Sequence, residues 1–322
     1  MRCTLIGGSG FIGTRLIGRL RAPHDVRNID LRHSQAYDDC TAIGDVRDEA
    51  RLTELLQGTD TVILLAAEHH DNVTPHSLYY DVNVNGMKAT LAAMEKAGVR
   101  HIVFFSTVAV YGLNLTAAPD EKTPCHPFNH YGRSKYEAEQ LLEKWTAARP
   151  DRSACVIRPS VVFGEDNRGN VYNLLHQLAS PYFMMIGKGR NKKSMAYVGN
   201  IVEFVIHLLD NVTEGYQVFN YADSPDLTMR QLVDFAAEAL GRTSRLLTIP
   251  RWLALAGGHV LDTVATLMGR KFPISAIRIR KFCATTRYDT TKAARSGFTA
   301  PFSLRESLQR TIAYEFGGQK TN

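Results

Sequence analysis

Apolar residues in this chain follow two rhythms. Short strand-like stretches, most of them rich in apolar residues, occur at Thr4-Leu5-Ile6, Val26–Asp30, Ala42–Val46, Thr61–Ala67, His101–Tyr111, Ala154–Pro159 with Val161–Gly164 behind it, and Gln217–Tyr221. Their shortness and lack of alternation predict strands buried on both faces. Between them, apolar residues recur three or four apart in a run ending at Leu20, in Arg51–Leu56, in Leu78–Lys96 and in Tyr131–Trp145. That spacing predicts amphipathic helices, the third interrupted at Asn83 and Gly86, which have poor helix propensity. Regular strand and helix alternation predicts an α/β fold: a doubly wound, mostly parallel sheet with helices on both faces.

Past Phe163 the alternation loosens. Tyr197–Leu209 returns as strand then helix, Thr228 is placed to cap a helix reaching Leu240, and Leu304–Tyr314 closes the chain as a helix. Pro250–Phe282 is different in kind. It holds Trp252–Ala256, Val260-Leu261 and Val264–Met268 around Gly257-Gly258, which reads as an apolar helix pair or a helix broken at the glycines.

The first strand runs directly into Gly7-Gly8-Ser9-Gly10-Phe11-Ile12-Gly13, and the second ends on Asp30. Strand, glycines, helix and a strand ending in a carboxylate are half of a Rossmann-type dinucleotide-binding unit. Gly7 permits a tight turn, Gly10 leaves room for a pyrophosphate, Gly13 lets the helix pack closely, and the amides of Phe11 and Ile12 open the helix. Asp30 is placed for the adenosine ribose, which favours NAD over NADP; Arg32 is the residue nearby that could meet a 2′-phosphate. Asp45-Val46 is expected beside the adenine, and Leu65-Ala66-Ala67 are expected to allow cofactor contact at the end of their strand. Asn83 is expected beside the loops that carry the cofactor. The expected division is 1–165 for the NAD-binding domain, with elements returning near 194–222. A smaller, partly interleaved C-terminal substrate domain over 166–322 contains the segment 250–287.

Tyr131 and Lys135 stand four apart at the start of a helix and therefore share a face. A neighbouring ammonium favours the phenolate, so the pair suits proton transfer. With Ser106-Thr107 ending a strand, Thr107 can donate to a substrate oxygen, Tyr131 exchanges its proton, and Lys135 also holds the nicotinamide ribose. The expected chemistry is hydride transfer to or from an alcohol or ketone. Glu68-His69-His70-Asp71 invites a metal reading, but adjacent ligands on one short turn do not converge on an ion, and none is expected.

Composition changes the picture in one respect. Apolar residues at 44% and charged residues at 22% are ordinary for a globular chain. The formal charge of +6 is uneven, because residues 188–322 carry 19 basic and 11 acidic side chains. Lys188, Arg190, Lys192 and Lys193 cluster as a candidate diphosphate clamp. Residues 270–287 hold six basic side chains and no acid, including Arg278, Arg280 and Lys281. With Trp252 they suit an anionic membrane surface. No basic helix, zinc spacing or aromatic platform supports a nucleic-acid partner. Five scattered cysteines without C-x-x-C spacing, a first strand with no leader before it, and no apolar run long enough to span a bilayer lead us to expect a cytoplasmic protein.

Gly7-x-x-Gly10-x-x-Gly13, Asp30, Asp45-Val46, Asn83, Ser106-Thr107, Val110-Tyr111-Gly112, Tyr131-x-x-x-Lys135 and Arg158-Pro159 together resemble the extended short-chain dehydrogenase/reductase family of nucleotide-sugar enzymes. The resemblance implies NAD as cofactor, held in part by Ser106 and Pro159, and Thr107, Tyr131 and Lys135 as the catalytic set. It implies Asn170, Val171 and Lys193 near a substrate diphosphate, with Arg190 and Lys281 assigned beside them. The segments 64–69, 77–84, 106–114, 127–132, 167–175, 193–203 and 281–286 carry a closer likeness. They resemble the bacterial O-antigen enzymes that epimerise N-acetylglucosamine at C4 on undecaprenyl diphosphate. That likeness implies a lipid-linked sugar diphosphate as substrate and a location at the inner face of the cytoplasmic membrane; a homodimer is a possible assembly.

A 4,6-dehydratase needs a further acid and base, and relatives of that type carry Asp-Glu after the active-site threonine where this chain has Val108-Ala109. A 4-ketoreductase of a UDP-linked sugar uses the same triad and is the enzymatic alternative. An NAD-binding regulator without turnover is the non-catalytic one.

Overall fold

The structure, a computed structural model, describes residues 1–70, 73–113, 117–179, 183–241, 247–268, 279, 282–317. Its centre is a seven-stranded sheet of β1 (Arg2–Ile6), β2 (Asp25–Asp30), β3 (Thr41–Ile43), β4 (Thr61–Leu64), β5 (His101–Phe105), β6 (Ser153–Pro159) and β7 (Gly215–Tyr221). The order across the sheet is β7-β6-β5-β4-β1-β2-β3, with every pairing parallel. This is the expected doubly wound α/β architecture. Order reverses between β1 and β4, the point at which such sheets open a crevice at their carboxyl ends. All four residues of β4 and all seven of β6 are buried, as parallel strands covered on both faces require.

Two compact units divide the chain. The first comprises Met1–Val162, Ala196–Ala222 and Tyr288–Pro301; the second comprises Phe163–Met195, Asp223–Arg287 and Phe302–Asn322. In the first, the helix Phe11–Leu20 follows β1 and His130–Ala147 precedes β6. In the second, Met229–Ala239 and Leu304–Phe316 are the helices most clearly started by sequence. Each opens with a reciprocal capping box, Thr228 with Gln231 and Ser303 with Glu306. Phe316 stacks on Tyr172 at 5.6 Å and joins the last helix to Asn170–Ala179.

Three local expectations change. The run 78–96 is not interrupted: residues 77–97 are helical throughout, with Asp81–Asn85 widened into a π turn. Gly86 is there because a Cβ would fall 2.9 Å from the Val46 side chain. The strand expected over His101–Tyr111 ends at Phe105, and Val108–Tyr111 forms a 3-10 turn capped by Thr107. Arg251–Met268 is one helix passing through Gly257-Gly258, neither a pair nor a broken helix. Two glycines cost a helix roughly 2 kcal/mol against alanine, a penalty that weakens a helix of 18 residues without forbidding it.

Candidate functional site

The loop after β1 is built around its glycines. Gly7 has φ +87°, and a Cβ there would lie 2.4 Å from the Ala66 amide nitrogen, so the turns after β1 and β4 touch backbone to backbone. The amides of Leu65 and Ala66 both donate 2.8 Å to the Ile6 carbonyl. Gly13 was expected to serve packing on the sheet; its close neighbour is instead the loop, since a Cβ would meet Gly8 oxygen at 2.4 Å. Gly10 stays open, with nothing closer than 3.8 Å to a Cβ. No side chain caps the helix that Phe11 and Ile12 begin, so its first amides face outward for an anion.

Sequence reasoning missed Asn28. Its buried side chain accepts the Gly8 amide at 2.9 Å and donates to Ser9 Oγ and Thr41 Oγ1 at 3.0 Å each. It therefore clamps the glycine loop to β2. Nothing along the strand singles it out, since Arg27 beside it is polar as well. Asp30 accepts the Ser9 amide at 3.0 Å, at the end of β2. Asp45 is held by Arg47 through paired hydrogen bonds of 2.5 and 2.9 Å, which pull its carboxyl below the usual range. Val46 is buried at 7% exposure. Asn83 bridges two elements: it accepts the Glu68 amide at 2.9 Å and donates to the Glu68 carbonyl at 3.0 Å and Ser134 Oγ at 2.9 Å.

Of the three side chains expected to do the chemistry, Thr107 and Tyr131 meet, and Lys135 lies buried one turn further along the helix that Tyr131 opens. Thr107 is 9% exposed, accepts the Ala109 amide at 3.1 Å and shares a side-chain hydrogen bond with Tyr131. Tyr131 opens the helix His130–Ala147, whose Asn129 cap accepts the Gly132 amide at 2.8 Å. Lys135 is 2% exposed and its ammonium lies 4.3 Å above the Phe104 ring. Burial dominates both groups in the protein alone. It pushes the Tyr131 phenol up to about 12, with the Thr107 hydrogen bond opposing, and drives Lys135 down to about 7, with the Glu139 charge opposing. Ser106 donates its amide 2.8 Å to the Ile157 carbonyl, tying the end of β5 to β6, which ends at Pro159.

The residues expected at the diphosphate lie in the second unit. Asn170 is exposed at the start of its helix, whereas Val171 is 5% exposed and its side chain belongs to the core, leaving only its backbone for a ligand. Arg190 is exposed. Lys193 donates 2.6 Å to the Ala284 carbonyl, and burial lowers its pKa. Asn191 donates 2.9 Å to the Phe282 carbonyl, so the segments around 193 and 284, far apart in sequence, are brought side by side. Lys281 lies outside the described residues, as do Asp71, Arg270, Lys271, Arg278 and Arg280. His70 Nδ1 sits 2.8 Å from Glu68 Oε1; among the described residues no group of three metal-binding side chains converges.

Residues 3–222, the greater part of the chain, match the NAD dependent epimerase/dehydratase family. The chain belongs to that family. Along 97% of its length it is 53% identical to the N-acetyl-alpha-D-glucosaminyl-diphospho-ditrans,octacis-undecaprenol 4-epimerase of Escherichia coli O157:H7, covering 94% of that protein. It is 27% identical over 95% of its length to a Vibrio cholerae UDP-glucose 4-epimerase, covering 93% of it. Among solved structures it shares its fold with the UDP-glucose 4-epimerase of Thermotoga maritima, at a TM-score of 0.74, 22% identity and 98% of each chain covered. Within this family the open Gly10 approach, the uncapped helix start and the Asp30 carboxylate fit NAD, the cofactor expected from the glycine motif. No described helix is long and apolar enough to cross a membrane.

Proposed function

We propose that this protein is a 4-epimerase that interconverts N-acetylglucosamine and N-acetylgalactosamine carried on undecaprenyl diphosphate. The observation that carries the reading is the 53% identity, over nearly the whole of both chains, to a relative named for that substrate and reaction. The glycine loop from Gly7 to Ile12, Asp30, Leu65–Ala67 and Pro159 hold NAD, and Lys135 reaches its ribose. When bound, NAD supplies a reversible hydride acceptor for C4 and a positive charge that favours the phenolate. Tyr131 takes the C4 hydroxyl proton as the carbon loses hydride, Thr107 holds that oxygen, and the 4-keto sugar turns before Tyr131 returns the proton. Diphosphate binding at Asn170, the Val171 backbone, Arg190 and Lys193 retains the intermediate while the sugar stays free to turn.

Purified protein incubated without added nucleotide is the test. Galacto-configured product from undecaprenyl-diphosphate N-acetylglucosamine, and none from UDP-N-acetylglucosamine, is the expected result. Turnover of the UDP sugar alone overturns the carrier, and a requirement for NADPH with a 4-keto sugar replaces epimerisation by reduction.

A lipid carrier demands access to a membrane. Met184, Leu247, Trp252 and Leu253 are 46%, 73%, 71% and 48% exposed. Met184 and Leu247 adjoin through the paired strands Met185–Ile186 and Thr248–Ile249, and Trp252 stands three residues after Ile249, beside exposed Arg251. An apolar, tryptophan-bearing surface beside an arginine is suited to an anionic headgroup layer. Leu247→Glu with Trp252→Glu is expected to abolish flotation with phosphatidylglycerol vesicles; undiminished flotation would count against this surface.

A further inference from the structure

One helical turn past Lys135, the same helix buries a second charged side chain, Glu139, at 2% exposure. Its carboxylate is engaged on both oxygens. Ser106 Oγ donates to Oε1, Arg158 Nε donates to Oε1 at 3.0 Å, and Arg158 Nη2 donates to Oε2 at 2.5 Å. Arg158 is 5% exposed and donates Nη1 to the Tyr111 hydroxyl at 2.7 Å, which donates in turn to Asn220 Oδ1 at 2.7 Å. Asn220, fully buried, donates to the Pro119 and Asp289 carbonyls at 3.1 Å each. All of these groups belong to the first unit.

A buried ion pair is a poor source of stability, since apolar residues of equal volume commonly serve as well. This one touches the site at three places. Ser106 adjoins Thr107, Arg158 adjoins Pro159, and Glu139 stands four residues beyond Lys135 on one helical face. We propose that Glu139, held by Arg158 and Ser106, is a positioning residue that supplies the counter-charge keeping Lys135 an ammonium for its work at Tyr131.

The surroundings leave that task to Glu139. From β5 Lys135 meets the Phe104 ring, which brings no charge; on its own helix Tyr131 stands one turn before it and Glu139, whose charge acts on it, one turn after. Around the ion pair, burial pushes Tyr111 up to about 12 and Cys125 up to about 11, and raises Tyr216, so these groups are neutral near physiological pH. Glu143, one turn further along, is exposed. Arg158 neutralises part of the Glu139 charge, which limits its effect without removing it.

The need for an ammonium rests on the epimerase reading, but the test does not use turnover. Protein carrying lysine labelled with 13C at Cε is titrated by NMR, with the Lys135 resonance assigned by its loss in Lys135→Met. Glu139→Gln is expected to lower the Lys135 midpoint by about one pH unit. Adding Arg158→Met should recover about half of that, because the opposing cation is gone too. Ser106→Ala, which removes a neutral hydrogen bond, should leave the midpoint at its wild-type value. If Glu139→Gln does not fold by itself, the double variant carries the comparison. A wild-type midpoint in the folded Glu139 variants overturns the proposal, and so does an equal shift in Ser106→Ala, which would make the effect one of packing. Absence of epimerase turnover in wild-type protein would sink the functional reading and leave this titration intact.

Discussion

Replacing Lys135 by methionine is expected to stabilise the nucleotide-free protein near neutral pH while abolishing turnover. The lysine is 2% exposed, and burial takes its pKa from 10.5 to about 7. Between those values the unfolded chain holds one more proton at this position than the folded one. Wild-type stability therefore rises with pH across that window by up to about 1.4 kcal/mol per pH unit from this group. The whole fall corresponds to a ceiling of about 5 kcal/mol against the buried ammonium below pH 7, and relaxation around the site reduces it to roughly 2 kcal/mol. Methionine fills similar space without charge, so Lys135→Met should gain about that much near pH 7 and progressively less toward pH 9. Urea unfolding followed by circular dichroism at the two pH values measures the difference. Comparing variant with wild type cancels the buried thiols, which also titrate at high pH. A stability gap that stays constant between the two pH values refutes the reasoning.

Tyr131→Phe should lower turnover by about 100-fold or more while NAD binding persists, because it removes only the exchangeable proton; turnover near wild type would overturn the proton-transfer role. Gly7→Ala should cost at least about 2 kcal/mol and abolish NAD binding, since its φ of +87° and the Ala66 backbone both exclude a methyl group. Melting with and without NAD reads both effects. Asn28→Ala should weaken NAD binding roughly tenfold by freeing the glycine loop, with about 1–3 kcal/mol lost from its unpaired partners; unchanged affinity would show that the loop holds its shape without the clamp.

Much of the fold can be read along the chain because its signals are local. Apolar runs set the strands, and three- or four-residue spacing set the helices. The glycine turn lies within one strand-turn-helix unit, and Thr228 and Ser303 announce helix starts through partners three residues away. Tyr131 and Lys135 share a face by helical geometry alone. The run through Gly257-Gly258 misled, because glycine propensity weighs on a helix without forbidding it.

Residues whose neighbours come from distant strands could not be assigned this way. Asn28 looks like an ordinary polar position in a strand until the Gly8 amide is found against it. Glu139 and Arg158 are separated by 19 residues and meet only because β6 runs beside the helix His130–Ala147. The buried state of Lys135, which decides how firmly it holds its proton, belongs to the fold for the same reason. Desolvation and charge depend on everything within a few ångströms, and sequence order records only the neighbours along the chain.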